Sequence, residues 1–164
     1  MTAAAATIAA AAVLGRYDGG AAGIVAACAA VVLIILAAID VEQRRVPNVI
    51  VLPAAAGVLA ARVAIDPERS WVWLAAAFGA AFVFFVLAVI YPPGLGMGDV
   101  KLALLIGATL GSAVLGGLLV GTLSAGLAGV ALIARHGPAA RRRSLPYVPF
   151  LVFGALCALL LFRP

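Results

Sequence analysis

Uncharged apolar runs, separated by short polar segments, dominate the pattern of residues along the chain. The first run extends over residues 19–39 and ends at Asp40. A second covers residues 48–65, and a third begins at Trp71 and closes at Tyr91. Because a helix needs about 20 apolar residues to cross the hydrocarbon core of a bilayer, each run predicts a membrane-spanning helix.

The uncharged stretch over residues 102–134 is too long for one crossing. A turn near residues 111–112 would divide it into two short spans, and a last span is predicted over residues 146–162. Glycines whose spacing suits close helix packing are Gly107, Gly111, Gly117 and Gly121. The pattern therefore predicts an all-α, polytopic membrane protein with about six transmembrane helices.

The first residues of the chain give a weaker pattern. Residues 1–15 are apolar and mostly alanine, but they are short for a crossing and lack the positively charged start of a signal peptide. We therefore predict an apolar N-terminal extension over residues 1–18 that is interfacial or partly inserted. A membrane-embedded domain is expected to follow it over residues 19–164.

Composition and charge support the membrane class. Hydrophobic residues make up 66% of the chain and charged residues 10%, against about a quarter charged in soluble proteins. The net charge of +5 is explained by topology, so no nucleic-acid partner is expected. Seven of the 11 cations lie in the segments 41–47, 92–101 and 135–145. By the positive-inside rule these segments face the cytoplasm and both termini lie outside.

Two carboxylates reach the same depth of the predicted bundle. Asp40 ends the first span and Asp99 begins the fourth, both on the cytoplasmic side. Ionisable groups at such depth are unfavourable and usually functional. Paired carboxylates can activate a water and protonate a leaving amine, which is aspartyl-protease chemistry without a metal or cofactor. The simpler alternative is that both residues mark helix ends in the headgroup region.

The residues around the second aspartate fit either interpretation. Gly94, Gly96 and Gly98 precede Asp99 and could let an extended peptide substrate approach the backbone, or they could form a flexible turn. The cysteines are isolated in apolar runs and the chain has a single histidine, so no metal site is predicted.

Three segments resemble a known family. The segment GMGDVKL (96–102) matches the G-x-G-D motif of membrane-embedded aspartyl proteases. The segment DVEQRRVPN (40–48) resembles the aspartate, basic stretch and Pro-Asn of type IV prepilin peptidases. The segment PYVPFL (146–151) is similar to the one that opens the last helix in that family. The chain therefore resembles the short, peptidase-only form of the type IV prepilin peptidase family.

The resemblance implies a function and a site. It implies that Asp40 and Asp99 are the catalytic pair of an aspartic endopeptidase that needs no cofactor. This enzyme would remove the short basic leader from type IV (Flp-like) prepilins at the cytoplasmic face of the cytoplasmic membrane. Its partners would be prepilins and the lipid bilayer. The accompanying substrate-binding or motif residues are Pro47, Asn48, Gly96, Gly98 and Lys101. The paired C-x-x-C motifs of the larger bacterial enzymes are absent, which leaves N-methylation of the product open.

The residues themselves allow further expectations. Lys101 is expected at the headgroup boundary, Asn48 as a cap of the second span and Arg62 in a snorkelling position near the far end of that span. Helix direction places the negative end of the first span at Asp40 and the positive end of the fourth at Asp99. We therefore expect Asp99 to act as the base and Asp40 as the proton donor.

Two other functional classes stay open from the sequence. A small transporter or ion and proton relay could use the same two intramembrane aspartates to bind a cation. A non-catalytic membrane subunit of a pilus assembly machine is a third possibility.

Overall fold

Long α-helices account for most of the chain in the computed structural model, which describes residues 2–92, 95–136 and 146–162. In chain order the helices are α1 (Thr2–Arg16), α2 (Ala21–Gln43), α3 (Asn48–Ile65), α4 (Ser70–Ile90), α5 (Met97–Leu110), α6 (Val114–His136) and α7 (Val148–Leu161). Short 3-10 turns, Pro67–Arg69 and Gly111–Ala113, precede α4 and α6. No strand occurs within the described ranges, which confirms the all-α class.

The apolar runs of the sequence correspond to these helices. By length and composition, the described stretches that could cross a membrane are Ala21–Gln43, Asn48–Ile65, Pro67–Ile90 and Met97–Arg135. Helices α1 and α7 are apolar but shorter. The chain is therefore a multi-pass membrane protein, while the count of about six crossings stays a prediction.

The predicted break in the longest apolar stretch lies at Gly111. This residue has φ +52°, a conformation that side chains disfavour, and its N–H bonds the carbonyl of Gly107 at the end of α5. The ring of Trp73 from α4 fills the space beside it, so a Cβ atom at this position would overlap the indole. The chain therefore reverses here, and α5 and α6 run in opposite directions.

Glycines allow two pairs of helices to approach closely. Gly107 of α5 packs against the backbone of Ala76 in α4. Gly154 of α7 lies against the backbone of Gly117 and Gly121 in α6. Because a Cβ atom would overlap backbone atoms at each contact, only glycine fits at Gly107 and Gly154. The close approach to α4 fixes the position of α5 in the bundle.

Helix α1 packs along the bundle for its whole length. Thr2 and Val41 line one apolar groove at the end of the bundle where α2 finishes. At the opposite end, Arg16 Nε donates to the carbonyl oxygen of Leu160 at 3.3 Å. Val13 is fully buried between these points. The small alanine side chains let α1 lie against α2 and α7 as an antiparallel neighbour of α2.

This arrangement bears on two expectations about the N-terminal segment. The segment packs against α2 and α7, and its interfacial or partial insertion over residues 1–18 stays a prediction. Its N-terminal end also lies at the opposite end of the bundle from the C-terminal end of α7. The expectation that both termini lie on the outer side is therefore wrong for this bundle. The boundary of the membrane domain at residue 19 stays a prediction.

The contact between α4 and α5 can be tested with an alanine at Gly107. Because the atoms in the way belong to the backbone of Ala76, they cannot rotate aside. We expect Gly107→Ala to lower the free energy of unfolding by about 1–3 kcal/mol, measured by denaturant unfolding in detergent micelles. The matched control is Gly79→Ala in α4, where an added Cβ meets nothing within 4 Å. The control is expected to be neutral or slightly stabilising, since alanine favours helix. Equal stability of the two variants would contradict the close approach.

Candidate active site

Asp40 and Asp99 line one cavity of about 360 Å³ at the end of the bundle where α2 ends and α5 begins. Its other lining residues are Arg44, Arg45, Val46, Asn48, Gly96, Gly98 and Lys101. The fold thus brings together two carboxylates that are far apart in sequence. The predicted motif residues other than Pro47 line the same cavity. The two carboxylates are close enough to interact electrostatically.

Asp99 is fixed by the first turn of its own helix. Its Oδ2 accepts a hydrogen bond from the N–H of Gly96 at 2.9 Å, and its N–H donates to the Gly96 carbonyl at 3.0 Å. Gly96 is extended, with φ −97° and ψ 162°, and it precedes α5. The carboxylate therefore faces the N-terminal end of α5, where the helix dipole favours negative charge.

Asp40 lies in the last turn of α2 and is only 8% exposed. Its Oδ2 accepts a hydrogen bond from the N–H of Val148, the first residue of α7, at 3.3 Å. Helix α2 continues to Gln43 and ends with Arg44 in the left-handed conformation, φ 52°. The start of α7 therefore supplies Asp40 with a donor, an interaction that local sequence reasoning missed because the two residues are 108 positions apart.

Tyr147 is a further residue near the carboxylates that the sequence interpretation did not single out. It immediately precedes α7 and is half-buried. Its phenol interacts electrostatically with the Asp99 carboxylate. At neutral pH the hydroxyl carries its proton, as in an ordinary tyrosine, and can donate a hydrogen bond. Its place in the segment 146–151 was the signal that could have identified it.

Lys101 links two of the helices that form the cavity. Its Nζ donates to Oδ1 of Asn48, the first residue of α3, at 2.7 Å. The N-cap of α3 is Pro47, and no side chain caps this helix, so the expectation that Asn48 caps it is wrong. The amide oxygen of Asn48 instead accepts the lysine proton. This bond holds the start of α3 against the first turns of α5.

The glycines of the motif have different surroundings. Gly96 is extended and a Cβ there would make ordinary contacts, the nearest with Asp99 Oδ2 at 3.8 Å. Gly98 lies within α5 and faces Val46, whose Cβ would be 3.2 Å from an added Cβ. Gly94 falls outside the described residues. The sequence suggested an extended backbone over all three glycines. Among the described residues only Gly96 is extended, because Gly98 lies within α5.

Charge in the cavity comes from side chains of both signs. Three cations, Arg44, Arg45 and Lys101, line it together with the two carboxylates. Within the described ranges, no group of three or more His, Cys, Asp or Glu side chains could hold a metal ion. The cavity thus combines two carboxylates, each of which accepts a backbone hydrogen bond, with three cations.

Comparison with known proteins assigns most of the chain to one family. A family model described as the type IV leader peptidase family matches residues 27–162. The match includes both aspartates, most of α2 and all of α3 to α7. No curated protein and no solved structure matches the chain significantly.

The contact between Gly98 and Val46 generates a testable coupling. Gly98→Ala would press its new methyl group against Val46 and is expected to cost up to about 1 kcal/mol of stability. Adding Val46→Ala removes Cγ2, which would lie 3.3 Å from the new Cβ, and keeps the Val46 Cβ, so part of the crowding is relieved. The double variant should therefore be more stable than the sum of the single changes by about 0.5 kcal/mol. Unfolding in detergent measures all three variants.

Gly96→Ala is the matched control, because its added Cβ finds ordinary space. It should show no coupling with Val46→Ala. Additive effects of Gly98→Ala and Val46→Ala would mean that α5 does not start against the segment between α2 and α3.

Proposed function

Because the chain belongs to the type IV leader peptidase family, we propose that it removes the short basic leader from type IV (Flp-like) prepilins. The reaction is peptide hydrolysis by an aspartate pair, Asp40 and Asp99. The observation that carries this proposal is that both carboxylates line one cavity, although they belong to helices far apart in sequence. The family membership establishes a peptidase, while the prepilin substrate and the aspartate mechanism are proposed.

In the proposed reaction one carboxylate is charged and the other is protonated. Asp99 takes a proton from a water molecule as the water oxygen attacks the carbonyl carbon of the scissile peptide bond. Asp40 donates its proton to the departing amide nitrogen when the C–N bond breaks. The products are a leader with a free carboxyl group and a mature protein with a free amine, so protons and electrons balance.

The hydrogen bonds support this assignment of roles. Asp99 accepts its backbone bond at 2.9 Å from Gly96, the residue that precedes its own helix, which favours the charged form. Asp40 accepts a longer bond, 3.3 Å, from Val148 and also lies at the negative C-terminal end of α2. The partial positive charge at the start of α7 partly offsets the partial negative charge at the end of α2. The two carboxylates therefore differ less in their preference for the charged form than helix direction alone suggested.

The cations of the cavity bear on how the leader would bind. Arg44, Arg45 and Lys101 outnumber the two carboxylates, so the cavity does not attract a basic peptide by charge. We therefore place the basic residues of the leader outside the cavity, at the anionic surface of the membrane. Only the scissile bond and its immediate neighbours would enter between Asp40 and Asp99.

We also propose that this end of the bundle faces the cytoplasm. Arg44, Arg45, Lys101 and Arg135 lie at this end among the described residues, which agrees with the positive-inside rule. Most of the basic segment 135–145, which contributes to the same argument, falls outside the described residues.

The aspartate mechanism predicts a specific pattern of activity loss. Asp40→Asn and Asp99→Asn should each abolish cleavage of a purified prepilin, and the double variant should be no worse than either single one. N-terminal sequencing of the product measures cleavage at the correct bond. The control is Glu68→Gln, an exposed carboxylate at the other end of the bundle, which should retain full activity. Substantial cleavage by either single aspartate variant would eliminate the pair as the catalytic groups.

The orientation can be tested by cysteine labelling in a Cys28→Ser, Cys157→Ser background. Gln43→Cys and Thr2→Cys should react with an impermeant reagent only from the cytoplasmic side, because both positions lie exposed at the Asp40 end. Glu68→Cys should react only from the outer side. Labelling of Gln43→Cys from outside would reverse the proposed orientation. Reaction of Thr2→Cys and Gln43→Cys from different sides would contradict the packing of α1.

A further inference from the structure

Arg62 and Tyr147 are polar side chains that the proposed mechanism does not use. Only 3% of Arg62 is exposed, so the expectation that it snorkels to the aqueous phase is wrong. Its Nη2 donates to the carbonyl oxygen of Thr109 at 3.2 Å, its Cζ lies 4.7 Å from the centre of the Trp73 ring, and it interacts electrostatically with Tyr17. Arg62 therefore joins helices at the end of the bundle opposite the aspartate pair, whereas Tyr147 lies at the same end as the pair.

The start of α7 places Tyr147 next to both carboxylates. The following residue, Val148, donates its N–H to Asp40 Oδ2 at 3.3 Å. The phenol of Tyr147 interacts electrostatically with the carboxylate of Asp99. The side chain is half-buried and packs against the hydrophobic core, which limits how far the ring can move. The hydroxyl is therefore held near the place where the proposed reaction occurs.

The hydroxyl of Tyr147 offers a hydrogen-bond donor. Among the residues that the structure describes, no hydrogen bond involves this hydroxyl. A phenol carries its proton at neutral pH and can donate one hydrogen bond. Because it is uncharged, it can do so beside Asp99 without forming an ion pair, which would weaken the carboxylate as a base. The proton is therefore available to an atom of the substrate.

The proposed hydrolysis creates a need for such a donor. When the water oxygen bonds to the carbonyl carbon, the electron pair of the C=O double bond moves onto the carbonyl oxygen, which becomes an oxyanion. In this mechanism Asp99 takes its proton from water and Asp40 gives its proton to the nitrogen, so neither neutralises the oxyanion. Fixed donors aimed at such an oxygen usually make the largest single contribution to catalysis.

The cations of the cavity are less suited to this task. Lys101 Nζ already donates to Asn48 Oδ1 at 2.7 Å. Arg44 and Arg45 are exposed beyond the last turn of α2, where water screens their charge. The half-buried phenol of Tyr147 is held more firmly, and a donor that is already in place needs little reorganisation during the reaction.

We propose that Tyr147 is a further catalytic residue, whose hydroxyl donates a hydrogen bond to the carbonyl oxygen of the scissile peptide bond. The hydrogen bond strengthens as negative charge develops on that oxygen, and it weakens again when the C–N bond breaks and the carbonyl re-forms. Tyrosine keeps its proton throughout, so the proton balance of the hydrolysis is unchanged. This role rests on the proposed peptidase function.

The test compares Tyr147→Phe with the wild type, using full-length protein in detergent and a purified prepilin. Because the hydrogen bond is strongest in the transition state, its loss should lower kcat about 10- to 100-fold and leave KM unchanged. The pH limits of kcat/KM, which report the aspartate pair of the free enzyme, should not move. The phenylalanine ring fills the same space, so thermal unfolding should be unchanged. The matched control is Tyr91→Phe, a tyrosine that follows α4 at the same end of the bundle, is 62% exposed and should be dispensable.

Full activity of Tyr147→Phe would overturn the proposal. A shift in the pH limits would mean that the hydroxyl acts on Asp99 rather than on the substrate, and a higher KM with unchanged kcat would mean that it only binds the ground state. Loss of folding would assign the hydroxyl a structural role, so each of these results also counts against the proposal. Inactive Asp40→Asn and Asp99→Asn beside a fully active Tyr147→Phe would remove only the role of Tyr147, whereas failure of the wild type to cleave prepilin would remove the peptidase proposal as well.

Discussion

A carboxylate in a membrane bundle needs hydrogen-bond donors from the protein, and the starts of two helices supply them here. The N–H of Gly96, before α5, donates to Asp99, and the N–H of Val148, at the start of α7, donates to Asp40. Helix starts are suited to this task because their first N–H groups lack partners within the helix. Both α5 and α7 must therefore begin at the same end of the bundle, beside the last turn of α2.

Close packing of glycine and alanine keeps these helix starts in position. Gly107 allows α5 to lie on the backbone of α4, and Gly154 allows α7 to lie on α6. Hydrophobic burial contributes little to helix association within a bilayer, so such contacts carry much of the specificity. The bond from Lys101 to Asn48 adds a polar contact between α5 and α3. The site is thus held by backbone approach and hydrogen bonds from several sides.

Local patterns predicted most of the helices and the break at Gly111, because apolar length and glycine spacing are local properties of the chain. They also placed Asp40 and Asp99 at the same end of the bundle, where both line one cavity. They could not predict the bond between Asp40 and Val148, since it depends on where two distant helices meet. The burial of Arg62 was missed for the same reason: its position near a span end suggested water, whereas Trp73 covers it. The packing of α1 was missed because an alanine-rich segment has no distinctive apolar face.

The dependence of Asp40 on α7 has a consequence for biogenesis. Helix α7 is the last helix of the described chain to leave the ribosome, and Asp40 enters the membrane with α2 much earlier. Until α7 docks, the carboxylate lacks the donor that Val148 supplies in the finished protein. Completion of the polar end of the bundle therefore depends on the insertion of α7. A nascent chain whose α7 has not yet docked already contains both aspartates, but Asp40 still lacks the hydrogen bond from Val148.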